Sequence, residues 1–343
     1  MLASLLETKP TRFVPAPTST PAPRALQLFD LVQDDIATSE LIFRKALAVE
    51  RSPVTLMLNH LDHYRGKRLR PALLLLMAKA VGGVQPCHHT LAAVVEMIHT
   101  ATLVHDDVLD EAETRRHVPT FHAKWGNKLS ILLGDTLFTQ AFYLTSTVDG
   151  RACQLIGKAT NAVCAGELRQ VSERGNDELS EATYFDILYG KTAALTEVSA
   201  KLGAMYAGGS SVMIEAAATY GRCLGLAFQV ADDLLDLVGE EEVAGKTLGT
   251  DLEQGKLTLP IIHALDSMTE PESRAFRKLL HSTDVNRREQ IIDRLRETGS
   301  FEYTRAKAEG LVRQARTALN ELPKGEARTH LDLLAQWSIR RES

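Results

Sequence analysis

The sequence predicts an all-α protein, a large antiparallel helical bundle around a central apolar cavity. Apolar residues recur at helical spacing from Ala25 to the end of the chain, and Leu28, Val32, Ile36, Phe43 and Leu47 form the first such stripe. No stretch alternates convincingly between apolar and polar residues as a strand would. The breaks between helical stretches are short, which implies antiparallel neighbours. With 343 residues and 44% hydrophobic content, the chain can build a substantial core.

Residues 1–24 concentrate Pro10, Pro15, Pro17, Pro21 and Pro23 among Thr and Ala, which suits a flexible arm outside the domain. Arg12 and Arg24, with few acids, also fit an organellar transit peptide loosely. Residues 25–343 read as a single all-α domain. Within it Pro71 suits the first turn of a helix. Further breaks are expected at Gly82-Gly83, around Pro119, at Asp149-Gly150, near Gly175, at Gly208-Gly209, from Gly245 to Gly255 and near Pro323. Two stretches, from about Gln85 to Asp110 and from about Ser211 to Leu237, are apolar nearly all round and should be central in the bundle.

Bulk properties narrow the partners. A net charge of -5 gives no overall attraction to nucleic acid or anionic lipid, so anions must be held by local basic clusters. Cys87, Cys153, Cys164 and Cys223 lack metal-ligand or redox spacing and read as reduced core residues. No apolar run approaches bilayer length, so a cytoplasmic location without stable membrane insertion is expected.

Each of the two central helices ends on an acidic cluster, Asp106-Asp107-Val108-Leu109-Asp110 and Asp232-Asp233-Leu234-Leu235-Asp236. Residues i and i+4 share a helix face, so Asp106 pairs with Asp110 and Asp232 with Asp236, and each like-charged pair costs stability unless a cation joins it. One such cluster is an ordinary solvated helix end, but two copies with one spacing point to hard cations. Mg²⁺ is usually held by one or two carboxylates plus substrate phosphates, so a phosphorylated ligand is expected. Neither cluster has the alternating ligands, central Gly and terminal Glu of a calcium loop. If the two helices run side by side, their carboxylates face one another above an apolar channel, a setting for an amphiphile with a phosphate head.

Basic residues stand close by. Arg115 and Arg116 follow the first cluster, and Lys246 and Lys256 follow the second in a Gly-rich stretch. Gly66-Lys67-Arg68-Leu69-Arg70-Pro71 offers a separate anion pocket through Lys67 and Arg70. His99, within the first central helix, reads on its own as a satisfied core histidine.

Together with Glu96 to Asp107, Arg115-Arg116, Lys191-Thr192, Phe228 to Asp233 and Gly255 to Pro260, the Gly66 to Pro71 motif resembles the trans-isoprenyl diphosphate synthase family. The resemblance runs from about Ala25 to the C-terminus and is most like long-chain bacterial members that supply quinone side chains. It implies the isoprenoid synthase fold, a homodimer, and a Mg²⁺-dependent prenyltransferase. Such an enzyme extends an allylic diphosphate with isopentenyl diphosphate, releasing pyrophosphate at each cycle. Asp106, Asp110 and Asp232 would hold the metal, with Asp236, Asp107 and Asp233 as direct or water-mediated helpers. Arg115, Lys191, Thr192, Gln229, Lys246 and Lys256 look like the allylic contacts, and among them Lys191, Thr192 and Gln229 like the catalytic group. Lys67, Arg70, His99 and Arg116 resemble the isopentenyl diphosphate pocket. Two departures from the family pattern, Arg65 where a second Gly is frequent and Gly208-Gly209, remove no functional group.

A growing tail would run beside the first central helix, and one turn, about 5.4 Å, is comparable with an isoprene unit. One turn below Asp106 stand Ala101 and Thr102 where short-chain members carry aromatic rings; Met97 and Ile98 follow, then Val94 and Val95. The expected product is therefore hexaprenyl to decaprenyl diphosphate, with geranylgeranyl diphosphate as the alternative. A terpene cyclase would lack the second Asp cluster and the Lys67/Arg70 pocket. A non-catalytic regulatory subunit of a heteromeric synthase would have lost site residues, and none is missing.

Overall fold

The computed structural model describes residues 28–48, 57, 60–61, 68–115, 118–238 and 249–340. A 3-10 turn, Asp30–Val32, leads into α1 (Gln33–Leu47), α2 (Leu69–Val81) and α3 (Pro86–Leu109). The strand pair β1 (Thr114–Arg115) and β2 (Val118–Pro119) precedes α4 (Phe121–Trp125), α5 (Asn127–Ser146), α6 (Gly150–Ser172) and α7 (Glu181–Leu188). A π-helical turn, Tyr189–Ala193, joins α7 to α8 (Ala194–Tyr206), which is followed by α9 (Ser211–Val238), α10 (Thr250–Glu253), α11 (Leu259–Ser267) and α12 (Glu270–Leu280). The chain closes with α13 (Arg287–Glu297), α14 (Ser300–Ala318), a 3-10 turn at Leu319–Glu321, and α15 (Glu326–Trp337).

The all-α expectation holds, with one correction. Thr114 pairs with Pro119 and Arg115 with Val118 in an antiparallel ladder. Two residues per strand are too few to leave an alternating pattern in the sequence. The local signals act where chemistry requires. Pro71 stands in the first turn of α2, and α3 opens with Pro86 behind a reciprocal cap between Gln85 and His88. At the other end of α3 the Ala112 N–H donates to the Asp107 carbonyl at 3.0 Å, closing a Schellman-type turn. The residue in the left-handed position is Glu111, at φ 51°, where Gly is usual.

The main core is carried by α2 and α3, where Ala72 to Met77 and Leu91 to Val95 are buried. A smaller apolar cluster of Leu237, Ile261, Phe276, Ile291, Leu295 and Phe301 holds α11 to α14 against the end of α9. The two acidic helices do not run side by side. Helix α3 packs chiefly on α5, α9 packs chiefly on α14 and α8, and α8 touches both. Glycine makes that interposition possible. A Cβ on Gly225 would meet the Thr196 hydroxyl at 2.2 Å, and one on Gly221 the Thr196 carbonyl at 2.5 Å. Likewise a Cβ on Gly166 would lie 2.6 Å from the Lys191 nitrogen, and one on Gly190 2.8 Å from Gly166 Cα, so α6 and the π turn meet backbone to backbone.

Of the four cysteines, all of them free, only Cys223 is a core residue; Cys164 is exposed, and Cys87 and Cys153 are half-buried. On the amphipathic α6 the apolar character of Cys153 and Cys164 hid that they stand off its buried stripe. No helix among the described residues is long and apolar enough to cross a membrane. The Pro-rich arm, residues 1–24, lies outside the described residues.

Candidate active site

Both acidic clusters reach one mouth, because the segment between α7 and α8 bridges them. The π turn places Lys191 and Thr192 on it consecutively, and wide turns of this kind recur at functional positions. Lys191 Nζ stands 2.7 Å from Glu167, 3.9 Å from Asp106 and 2.9 Å from the Gln170 side-chain oxygen. Its neighbour turns the other way, and the Thr192 hydroxyl donates to Gln229 Oε1 of α9 at 2.8 Å. Lys256 completes the bridge, lying 3.6 Å from Asp110 and 3.8 Å from Asp251. A narrow cleft is lined in common by Gln170, Tyr184, Lys191, Gln229, Asp233 and Lys256. A wider surface groove between α9 and α14, lined by Val212, Glu215, Thr219 and Arg313, contains none of the predicted residues.

The three acids of the first cluster have different neighbours. Buried Asp107 is gripped by Arg115, whose Nε and Nη2 donate to it at 3.0 and 2.7 Å. Burial pushes the Asp107 carboxyl above its ordinary value even so. Asp110 accepts from Arg174 Nη2 at 2.5 Å. Asp106 is raised to about 6, first by burial and then by Glu167 and Asp110, with Lys191 and Arg115 opposing. Burial opposes the charge of Lys191, yet Asp106 and Glu167 hold its ammonium above the usual range.

In the second cluster Asp233 and Asp236 meet neutral donors. Asp233 accepts from Tyr184 Oη at 2.7 Å and from Gln229 Nε2 at 2.9 Å. Burial and then Asp251 raise it to about 7. Asp236, 1% exposed, accepts from the Thr250 hydroxyl and the Asp251 N–H, both at 3.1 Å. It therefore anchors the first turn of α10, and the structure assigns it a fixed structural partner that sequence spacing did not reveal. Asp232 is half-buried on the same turn.

Of the residues expected for isopentenyl diphosphate, Lys67 and Arg116 lie outside the described residues, as does Lys246 of the allylic set. Arg70 is drawn down to about 10 by burial, with the Glu96 charge opposing. Glu96 is itself buried and stands one helical turn from His99, so Arg70, Glu96 and His99 share one corner of α2 and α3. Beside them Arg68 adopts φ 56° and donates to Glu40 at 2.6 Å; with Glu111 it is the only non-glycine residue at positive φ among the described residues. Met97 and Ala101, one turn apart, are fully buried, and the Thr102 hydroxyl turns back to the His99 carbonyl at 2.8 Å.

Sequence reasoning missed Glu167, Gln170, Arg174, Tyr184 and Asp251. None belongs to an Asp-rich cluster; the available signal was the Glu167/Gln170 pair at i, i+3, which places both on one face of α6.

An all-α bundle whose mouth joins two aspartate clusters through Lys191, Thr192 and Lys256 belongs to the isoprenoid synthase class. The polyprenyl synthetase family model matches residues 52–297. A short chain isoprenyl diphosphate synthase of Methanothermobacter thermautotrophicus is 34% identical over 324 residues, spanning 92% of this chain and 99% of that protein. An octaprenyl diphosphate synthase of Escherichia coli is 36% identical over 292 residues, spanning 83% of this chain and 90% of that protein. Among solved structures, a decaprenyl diphosphate synthase from Rhodobacter capsulatus aligns with a TM-score of 0.88 at 37% identity, covering 93% of this chain and 100% of that one. The chain belongs to the polyprenyl synthetase family.

Proposed function

We propose that this prenyltransferase condenses isopentenyl diphosphate with an allylic diphosphate, head to tail and all-trans, and builds a long-chain polyprenyl diphosphate of the kind used for quinone side chains. The observation that carries the reading is the convergence of Asp106, Asp110, Lys191, Thr192, Gln229 and Lys256 at one mouth above the apolar helix α3.

Mg²⁺ fits these residues. Both clusters lie at helix C-termini, the negative end of the backbone dipole, and neither last turn carries a basic residue. Asp106, Asp110 and Asp232 would hold the ions. When bound, Mg²⁺ supplies Lewis-acid stabilisation of the departing pyrophosphate. Arg115, Lys191 and Lys256 bind and orient the same phosphate oxygens, which places the allylic carbon for attack. The oxygens of Thr192 and Gln229, fixed by their mutual hydrogen bond, line the position of the developing cation. Apolar walls keep water from capturing it. Arg70 and His99 hold the second substrate.

The long product is supported by Ala101 and Met97, buried non-aromatic residues below Asp106 on α3. Incubation with farnesyl diphosphate, labelled isopentenyl diphosphate and Mg²⁺, followed by chromatography of the dephosphorylated products, should give chains of six or more units. Absence of incorporation would refute the reading. Ala101→Phe should shorten the product to four or five units, and an unchanged distribution would remove the length argument. The homodimer reading is supported by large apolar side chains left exposed on α5 and α6, among them Leu132 at 59%, Tyr143 at 65% and Leu168 at 73%. Sedimentation should return twice the chain mass; a monomer would dismiss this assembly.

A further inference from the structure

Two arginines meet the first acidic cluster, and they meet it differently. Arg115 gives both Nε and Nη2 to Asp107 in a side-on fork. Arg174 gives only Nη2 to Asp110, at 2.5 Å, while its buried Nε–H has no acceptor among the described residues. Arg174 reaches Asp110 from the turn after α6, 64 positions along the chain, and no motif pointed to it. That turn is fixed. The Gly175 N–H donates to the Gly255 carbonyl at 2.9 Å, so Arg174 and Lys256 arrive at Asp110 on two clasped loops. A Cβ on Gly255 would stand 3.4 Å from Gly175 N, which keeps the clasp tight. With only Nη2 spent on its carboxylate and the side chain 30% exposed, this guanidinium keeps donors to spare for phosphate oxygens.

We propose that Arg174 is a further diphosphate-binding residue, the resting counter-ion of Asp110, released to the phosphate oxygens of the substrate when Asp110 turns to the metal. The proposal rests on the prenyltransferase reading above. It adds a residue supplied by this chain's own turn and couples metal binding to phosphate binding through one charge.

The test is calorimetric titration of the full-length protein, first with MgCl₂ alone and then with inorganic pyrophosphate at saturating Mg²⁺. Arg174→Gln should bind Mg²⁺ alone more tightly, by about fivefold, because a competing cation is gone. The same variant should bind pyrophosphate more weakly, by about tenfold, having lost a charge-assisted donor. Arg174→Lys should recover part of the pyrophosphate affinity, since it keeps the charge without the fork. Unchanged pyrophosphate affinity in Arg174→Gln, or weaker binding of both ligands together with a lowered melting temperature, would overturn the proposal. A wild-type protein that binds no pyrophosphate at saturating Mg²⁺ would instead overturn the functional reading on which it rests.

Discussion

At the end of α3 the carboxylates meet cations, whereas at the end of α9 two of them, Asp233 and Asp236, meet neutral donors. Arg115, Arg174, Lys191 and Lys256 surround Asp107, Asp110 and Asp106. Tyr184, Gln229, Thr250 and the backbone of Asp251 surround Asp233 and Asp236. Equal spacing in sequence therefore serves two kinds of site. Ion pairs of part-exposed groups are weak and can be exchanged for ligand, whereas buried hydrogen bonds are costly to break and hold a shape. In the first cluster Asp106 and Asp110 hold such part-exposed pairs, while Asp107 is buried against Arg115; in the second, Asp233 and Asp236 hold Gln229 and the α10 turn beside one partly exposed acid, Asp232.

The largest expected effect tests what the clusters share. Asp106→Ala and Asp232→Ala should each lower turnover by about a thousandfold while leaving the thermal transition in place, as read by incorporation of labelled isopentenyl diphosphate and by calorimetry. Near-normal turnover in Asp232→Ala would reduce the second cluster to scaffold alone. The next separates them. Asp236→Ala should cost about 1–3 kcal/mol of stability, because it empties a buried site and strands the part-buried Asp251 N–H and Thr250 hydroxyl. Asp110→Ala should cost at most about 1 kcal/mol, its ion pair being part-exposed. Equal losses in denaturant unfolding would erase the distinction.

A smaller effect depends on pH. The folded, metal-free protein protonates Asp106 at about 6, against an ordinary 3.8, so the folded state binds the proton more tightly. Its contribution to stability is thus present at low pH and lost as pH rises through about 6. Asp106→Asn should accordingly gain in melting temperature over wild type from pH 5 to pH 7, with Mg²⁺ narrowing the gap; a gap independent of pH would contradict the crowded first cluster. The smallest effect belongs to the turn that ends α3. Glu111→Gly relieves a left-handed non-glycine residue and should add about 1 kcal/mol, and a loss of stability would show that the Glu111 side chain has a role of its own.

The sequence made the helices legible because apolar periodicity is local: α3 and α9 begin and end within a residue or two of where their patterns do. Paired aspartates and nearby basic residues were legible for the same reason: Lys191 and Lys256 do reach Asp106 and Asp110, while Thr192 and Gln229 join each other and Asp233. What stayed hidden is long-range. Whether α3 and α9 touch depends on α8 passing between them, and that depends on whether Gly221 and Gly225 meet another backbone. The division of labour within Asp232-Asp233-Leu234-Leu235-Asp236 depends on Tyr184 and Thr250, which no spacing rule links to it. Arg174 is the sharpest case, since its partner lies 64 residues away.

The wide turn at Tyr189–Ala193 has a consequence for how the molecule can vary. A π turn spends about one residue more per revolution than an α turn, so the extra residue widens the backbone here without turning α8 out of phase with α7. Lys191 and Thr192 stand in succession on that widened turn and serve different partners, Glu167 and Asp106 for the first and Gln229 for the second. Deleting one residue here would restore ordinary helical pitch and leave one side of the mouth without its side chain.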